Sequence, residues 1–241
     1  MNGSIALVGS GEYLPQMMQL EQSLIDDGVK NGKQPVYVQI PTAAGQESSQ
    51  RLEYWKNLGQ AQADRLGITA KFLPIFKRED SFNLDFADAI ENSALIYMSG
   101  GDPHYLAATL IDSPVWQAIY SNWKSGSSLA GCSAGAMVLS AEIPHFRLSR
   151  KEPTKGFNLL PNIRVIPHFD KFFKWIPESA AKMMMQVPDG ITLIGIDENT
   201  TLIKRSDSIS WNVSGQGKVR ILNSNPEKKY SEGETVLNLP W

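Results

Sequence analysis

One short segment of the chain has the residue types and spacing of an activated serine. A short predicted strand at 128–131 leads into the sequence Gly131-Cys132-Ser133-Ala134-Gly135, and helix-forming residues continue from 134 to 141. A serine hydroxyl is a poor nucleophile until a neighbouring base takes its proton. Gly-x-Ser-x-Gly between a strand and a helix lifts the serine Oγ out of a turn too tight for flanking side chains. The pattern predicts acyl-transfer chemistry at Ser133.

Cys132 is the rival nucleophile in this segment. The motif requires a glycine two positions before and two positions after the nucleophile. Ser133 has glycines at both positions, whereas Cys132 has Ala130 and Ala134 there. We therefore interpret Cys132 as a small buried side chain. Because it is the only cysteine in the sequence, an intramolecular disulfide and a zinc-ribbon site are both excluded.

The chain has three histidines, and each is a candidate for the base. His104 begins a predicted helix beside Gly100-Gly101, and His145 lies in a long irregular loop. His168 follows the apolar run 163–167, which places it at the tip of a predicted strand. From there an imidazole can reach a nucleophile at the end of a neighbouring strand.

Two carboxylates follow another predicted strand, at 191–196. Asp197 or Glu198 could accept the imidazole N–H and stabilise the imidazolium. Neighbouring residues of an extended chain point in opposite directions, so only one of the two should face the site. The residues alone leave this choice open.

Two glycine-rich loops follow buried strands. Gly100-Gly101 allows a backbone N–H to face a reacting carbonyl, beside the N–H of Ala134, although an ordinary tight turn explains the dipeptide equally well. Gly9-Ser10-Gly11 lacks the third glycine of a dinucleotide-binding fingerprint, and we interpret it as structural.

The elements that must position these residues alternate between strands and helices. Such alternation predicts a mainly parallel sheet covered on both faces, a three-layer α/β/α sandwich of the α/β class, with sites beyond the carboxyl ends of the strands. After residue 190 the pattern changes to short runs, which predict antiparallel strands completing one side of the sheet. The predicted strands are 5–8, 36–40, 71–74, 94–98 and 128–131, and the predicted helices are 14–28, 47–66, 86–92, 103–110, 114–124 and 134–141.

Composition sets outer bounds on the protein. The 241 residues are 42% hydrophobic and 20% charged, which suits one domain over 1–241 with a full core. A formal net charge of −2 argues against nucleic acid or an anionic membrane as a partner. The N-terminus lacks the basic and apolar regions of a signal peptide, so we expect a cytoplasmic protein. We further expect a monomer or a homodimer.

Several segments together resemble one family, the dipeptidase E and cyanophycinase group of serine peptidases, whose fold is like that of class I glutamine amidotransferases. The resemblance implies Ser133 as nucleophile, His168 as base and Glu198 as orienting acid, with Gly101 and Ala134 as the oxyanion hole. It also implies a small peptide substrate, and neither a cofactor nor a metal. The resembling segments are 97–102, 131–136, 157–161, 167–169 and 194–200.

One departure from that family concerns the substrate. The aspartyl dipeptidases use arginines shortly after the catalytic histidine, but this chain has no arginine between Arg164 and Arg205. Asp102, Lys171 and Lys174 are the candidate substrate-binding residues, and a lysine does not supply the bidentate fork of an arginine. We expect hydrolysis of short peptides at dipeptide or isoaspartyl bonds. The alternatives are a catalytically silent ligand-binding domain and an amidase or esterase acting on another substrate.

Overall fold

The computed structural model describes most of the chain, and the described residues form fourteen strands and seven α-helices. The described residues are 1–145, 152–175, 179, 181 and 185–240. The strands are β1 (Ile5–Val8), β2 (Gln34–Ile40), β3 (Thr69–Phe72), β4 (Ser93–Met98), β5 (Ser128–Cys132), β6 (Glu142–Ile143), β7 (Thr154–Lys155), β8 (Ile163–Ile166), β9 (Thr192–Ile196), β10 (Thr200–Lys204), β11 (Trp211–Gly215), β12 (Val219–Ile221), β13 (Lys228–Tyr230) and β14 (Thr235–Val236). The helices are α1 (Met18–Lys30), α2 (Ser49–Leu66), α3 (Leu84–Ile90), α4 (Pro103–Leu110), α5 (Pro114–Lys124), α6 (Ala134–Met137) and α7 (Phe169–Trp175).

The main sheet has eight strands in the order β14-β11-β10-β1-β5-β4-β2-β3. Five neighbouring strands are parallel, in the order β1, β5, β4, β2 and β3. Beyond β1 the sheet is extended by β10, β11 and β14, which pair antiparallel. The predicted α/β fold with antiparallel strands near the C-terminus is therefore confirmed.

Both faces of this sheet are buried, which explains why its central strands read as continuous apolar runs. In β1, Ile5 and Leu7 belong to the hydrophobic core on one face, while Ala6 and Val8 belong to the core on the other. Helix α1 packs on the second face through Leu24 and its neighbours. Helices α3, α4, α5 and α6 contribute to the first.

A second sheet carries four strands in the order β13-β12-β9-β8. The prediction that the short runs after residue 190 complete one side of the main sheet is thus wrong for β9 and β12. The chain passes from β9 to β10, and so from one sheet to the other, in a turn where Asn199 adopts a left-handed φ of 51°. Strands β8 and β9 are parallel, so their carboxyl ends lie side by side.

Helix α6 ends at Met137, four residues before the predicted end at 141. After Val138 the amides bond carbonyls three residues back instead of four, from Leu139 to Ala136 O at 3.4 Å and from Ser140 to Met137 O at 3.3 Å. The next carbonyls pair with another segment, since Val138 O accepts from the Phe157 amide at 2.6 Å and Leu139 O from the Leu160 amide at 2.8 Å. The 71–74 strand prediction is likewise shifted, since β3 ends at Phe72.

Among the described residues, no helix is long and apolar enough to cross a membrane.

A buried polar cluster lies in the core beneath β1 and α1. The rings of Tyr13, Tyr37 and Tyr97 are fully buried, with centroids 5.4–6.2 Å apart. Glu21 of α1 is also fully buried, and it accepts hydrogen bonds from the Gln62 side chain at 2.8 Å and the Tyr13 amide at 3.3 Å. Burial raises the pKa of Glu21 to about 7, because these hydrogen bonds offset only part of the desolvation of its charged form.

This raised pKa predicts a pH dependence of stability. An unfolded glutamate has a pKa of about 4.3, so between about pH 5 and pH 7 the folded state binds the extra proton, and stability is lost as pH rises through that window. We expect wild type to lose on the order of 2 kcal/mol more than Glu21→Gln between pH 5 and pH 8 in urea unfolding. Asp26→Asn on the exposed face of α1 is the control and should follow wild type. Parallel profiles for wild type and Glu21→Gln would contradict the prediction.

Candidate active site

Ser133 lies between β5 and α6, on the turn that the glycine pattern predicts. Its backbone has φ 50° and ψ −107°, a conformation that L-residues seldom adopt and that costs on the order of 1–3 kcal/mol. The Ser133 amide donates to Val8 O of the neighbouring strand at 2.9 Å, and its carbonyl accepts from the Ala136 amide at 3.0 Å. The turn is therefore held on both sides of the serine.

Both glycines of the motif are required by close backbone packing. A Cβ on Gly131 would overlap the Gly135 carbonyl, and a Cβ on Gly135 would overlap the carbonyl of Met98 in β4. The first contact closes the turn, and the second lets α6 approach the sheet. Cys132, the rival nucleophile, is fully buried, and burial raises the pKa of its thiol well above the usual value.

His168 follows β8 of the second sheet and has φ 49°. Its Nε2 lies 3.1 Å from Ser133 Oγ, and its Nδ1 lies 2.9 Å from Glu198 Oε1. A carboxylate on Nδ1 favours the tautomer with its proton there, which leaves Nε2 as the acceptor for the serine hydroxyl. The structure thus brings together, from three strand ends, the three side chains that the family resemblance assigns to the site.

Asp197 and Glu198 point in opposite directions, as their alternation predicts. Asp197 is buried on the far side, where it forms an ion pair with Arg220 and accepts from the Lys218 amide at 2.9 Å. Glu198 faces His168 instead. The choice that the sequence left open is made by the direction of each side chain.

Glu198 interacts with two basic side chains. Burial favours its neutral form, but hydrogen bonds from Lys171 and His168 outweigh that effect and lower the pKa of Glu198 below its usual value. Lys171 lies on α7, one turn after His168, and forms an ion pair with the Glu198 oxygen that His168 does not use. This contact raises the pKa of Lys171.

The predicted oxyanion donors lie in two loops beside Ser133. Within the described part of the chain, the amides of Gly101 and Ala134 donate no hydrogen bond, whereas the amides around Gly101 all have acceptors. Gly101 has φ 139°, and a Cβ there would overlap the Ala43 carbonyl. The position therefore requires glycine.

Asp102 and Lys174, two of the candidate substrate-binding residues, differ in their surroundings. Asp102 is the N-cap of α4, where its Oδ1 accepts from the amides of His104 at 2.8 Å and Tyr105 at 3.1 Å. Lys174 is exposed on α7 and forms no ion pair with any residue that the structure describes. Of the two lysines, Lys174 is the one with a charge not assigned to Glu198.

The other two histidines form a separate pair. The rings of His104 and His145 stack 4.0 Å apart, nearly parallel. Both rings bond Thr154 Oγ1, at 2.8 Å and 3.1 Å respectively. They connect α4 to the β6–β7 hairpin, and it is His168 whose ring meets Ser133.

Two residues at the site escaped the sequence reasoning. Asp170 accepts from the Glu198 amide at 2.9 Å, which fixes the turn that carries the carboxylate. Glu12 lies beneath the serine, where its Oε1 accepts from the Gly100 amide at 2.8 Å. The position of Asp170 two residues after His168 was a usable signal for the first; nothing in the local pattern marked the second.

Ser133 lies on a strand-to-helix turn of an α/β sheet and is hydrogen-bonded to His168, which is bonded in turn to Glu198. This is the geometry of a serine hydrolase. A family model for peptidase family S51 matches residues 5–211. The chain belongs to peptidase family S51, and the resemblance to the dipeptidase E and cyanophycinase group is confirmed.

Known proteins similar to this chain carry peptidase names. A cyanophycinase from Trichormus variabilis is 28% identical over 215 residues, covering 83% of this chain and 67% of that protein. A cyanophycinase from Geminocystis herdmanii is 26% identical over 178 residues, covering 70% of this chain and 64% of that protein. The chain thus spans about two thirds of the length of these curated relatives.

Two solved structures share the fold. A peptidase from an acI-B1 Actinobacterium is 60% identical with a TM-score of 0.95, covering 98% of this chain and 97% of that one. A putative peptidase E protein from Listeria monocytogenes EGD-e is 16% identical with a TM-score of 0.66, covering 90% of this chain and 100% of that one. The second likeness concerns the fold alone.

The packing of the serine turn predicts the cost of a single methyl group. Gly135→Ala places a Cβ against the Met98 carbonyl, so α6 must shift from the sheet, and we expect a loss of about 1–3 kcal/mol in the free energy of unfolding. Ser133→Ala at the same turn removes only a hydroxyl and serves as the control, with a free energy of unfolding close to wild type in urea titrations. Equal stability of the two variants would refute the steric account.

Proposed function

We propose that this protein is a serine peptidase that hydrolyses short peptides through Ser133, His168 and Glu198. The observation that carries the proposal is the continuous hydrogen-bonded series from Ser133 Oγ through the His168 imidazole to Glu198 Oε1, with distances of 3.1 Å and 2.9 Å. Membership of family S51 supports the same reading.

In the proposed mechanism, Ser133 Oγ attacks the carbonyl carbon of the scissile amide while His168 Nε2 takes the hydroxyl proton. Glu198 stabilises the imidazolium through Nδ1–H. The tetrahedral intermediate collapses as His168 gives that proton to the leaving amine, and the acyl group stays on Ser133. Water, deprotonated by His168, then attacks the ester carbonyl, and the carboxylic acid leaves as His168 returns the proton to Ser133 Oγ.

The amides of Gly101 and Ala134 are the proposed donors to the oxyanion of both tetrahedral intermediates. Ala134 is the first residue of α6, directly after the nucleophile, the position from which an elbow supplies its own donor. Each such donor contributes on the order of 100- to 1000-fold in rate, because it is already aimed at the charge when the charge develops.

The test of this site is covalent labelling with a fluorophosphonate probe, which reacts with activated serines. Wild type should be labelled at a single site, and Ser133→Ala should not be labelled at all. His168→Ala should slow labelling by about 1000-fold or more, because no base takes the serine proton. His145→Ala is the matched control and should keep the wild-type rate.

Two results would refute this assignment. Wild type that is folded but not labelled would favour a silent ligand-binding domain. Labelling that survives Ser133→Ala would move the nucleophile elsewhere.

For substrate class we propose short peptides, including those with an aspartyl residue at the scissile bond. Several curated relatives are cyanophycinases, which supports an isoaspartyl-type amide. Lys174 is the proposed partner of an acidic substrate group, since Lys171 is engaged by Glu198. A single lysine is a point charge and gives weaker carboxylate selectivity than an arginine fork.

The two lysines of α7 separate substrate recognition from support of Glu198. With a panel of dipeptides, Lys174→Met should raise KM for substrates with N-terminal or β-linked aspartate by several-fold and leave neutral dipeptides unchanged, because only the acidic ones lose a charge contact. Lys171→Met should instead lower kcat for both classes, because Glu198 loses its second partner.

The panel also tests the reaction class. An unchanged KM of Lys174→Met for the aspartate-containing dipeptides would remove Lys174 from the proposal. Hydrolysis confined to esters or to non-peptide amides would replace peptidase by esterase or amidase.

A further inference from the structure

Glu12 lies at the centre of the loops that surround Ser133, although it belongs to none of the three strand ends that carry the proposed catalytic residues. It is 7% exposed, and both of its carboxyl oxygens are engaged. Oε1 accepts from the Gly100 amide at 2.8 Å, and Oε2 accepts from the Cys132 thiol at 3.0 Å. One side chain therefore joins the loop before Gly101 to the residue before Ser133.

The loop after β1 is built to deliver this side chain. A Cβ on Gly9 would overlap the Asp197 carbonyl, and a Cβ on Gly11 would overlap the Asn199 side chain, so glycine at both positions lets the loop pass tightly beneath the Glu198 turn. Tyr13, directly after Glu12, has φ 63°, and its carbonyl accepts from Arg65 at 2.8 Å. The loop that begins with the Gly9-Ser10-Gly11 segment thus contacts the turn at 197–199 and, through Glu12, the loop at 99–102.

The effect of Glu12 is clearest in the amides of the loop 99–102. The Ser99 amide donates to Ile40 O at 3.1 Å, the Gly100 amide to Glu12, and the Asp102 amide to Ala43 O at 2.8 Å. Gly101 alone is left with an amide that has no acceptor in the described chain. Three fixed donors around one open donor determine which N–H the loop presents.

Glu12 is also in contact range of the nucleophile's turn. A Cβ on Gly100 would come within 2.7 Å of Glu12 Oε1 and 3.3 Å of Ser133 Cβ, so the Gly100 backbone is packed between the carboxyl group and the serine. The bond to the Cys132 thiol ties the same carboxyl group to the end of β5. Glu12 therefore sets the distance between the two loops whose amides form the proposed oxyanion hole.

We propose that Glu12 is a positioning residue that holds the Gly101 and Ala134 amides in register for one oxyanion, an inference that rests on the proposed function. Without Glu12, the buried Gly100 amide has no acceptor, and the loop 99–102 can turn that N–H, rather than that of Gly101, toward the serine. The binding of an uncharged ground state does not depend on this arrangement. The loss falls on the step in which negative charge develops.

The experiment measures fluorophosphonate labelling over a range of probe concentrations, because the phosphonyl oxygen occupies the oxyanion position as the serine adds. Glu12→Ala should lower the maximal labelling rate by about 100-fold, with little change in the half-saturating probe concentration. Glu12→Gln keeps an oxygen for the Gly100 amide and should stay within about tenfold of wild type. Glu12→Asp keeps the acid but withdraws it by one methylene, and it should resemble Glu12→Ala.

Asn122→Ala is the control for the general cost of losing a buried polar side chain. Asn122 bonds Ile90 O at 2.9 Å and Ser93 Oγ at 3.0 Å, at the opposite end of β4 from the site. It should lower stability in urea and leave the labelling rate unchanged. Where Glu12→Ala does not fold, the comparison of Glu12→Asp with Glu12→Gln decides the question, since the two differ in the reach of the acceptor.

The outcomes separate this inference from the proposed function. Wild type that is not labelled overturns the proposed function and the role of Glu12 together. Labelled wild type with Glu12→Asp and Glu12→Ala at undiminished maximal rates overturns the role of Glu12 alone. A loss confined to the half-saturating concentration, or equal losses for Glu12→Gln and Glu12→Asp, also overturns it.

Discussion

The close approach of the loop after β1 to the turn after β9 is the constraint on which the site depends. Ser133 belongs to the main sheet, whereas His168 and Glu198 follow strands of the second sheet. The two sheets meet where the Gly9 backbone packs against the carbonyls of Ile196 and Asp197 at the end of β9, and a side chain on Gly9 would prevent that approach. A hydrogen-bonded series across two sheets exists because one glycine lets their backbones touch.

Backbone strain is concentrated at the same place. Ser133, His168 and Asn199 all have left-handed φ values near 50°, each at the end of a strand. Such conformations cost on the order of 1–3 kcal/mol per residue and persist only when the surroundings hold them. Here the surroundings are backbone hydrogen bonds and a core buried on both faces of the sheet, so the strain at the strand ends is met by the packing beneath them.

The charges of the site are arranged in separate pairs. Glu198 interacts with His168 and Lys171, while the adjacent Asp197 is matched by Arg220 on the other side of the strand. Two neighbouring carboxylates thus avoid each other and satisfy different partners. Lys171 is consequently a component of the Glu198 environment, whereas Lys174 of the same helix is exposed.

The local features were predictable from the residues alone: the strand-to-helix turn at Ser133, the histidine and carboxylates at strand ends, and the parallel core. These follow from residue types and periods of a few positions. Four features depend on the tertiary structure. Strand β9 belongs to a second sheet, and Glu198 rather than Asp197 faces His168. Lys171 contacts Glu198, and Glu12 reaches Gly100 across 88 positions. Those outcomes depend on contacts between distant segments, and no local spacing encodes the direction in which a packed side chain points.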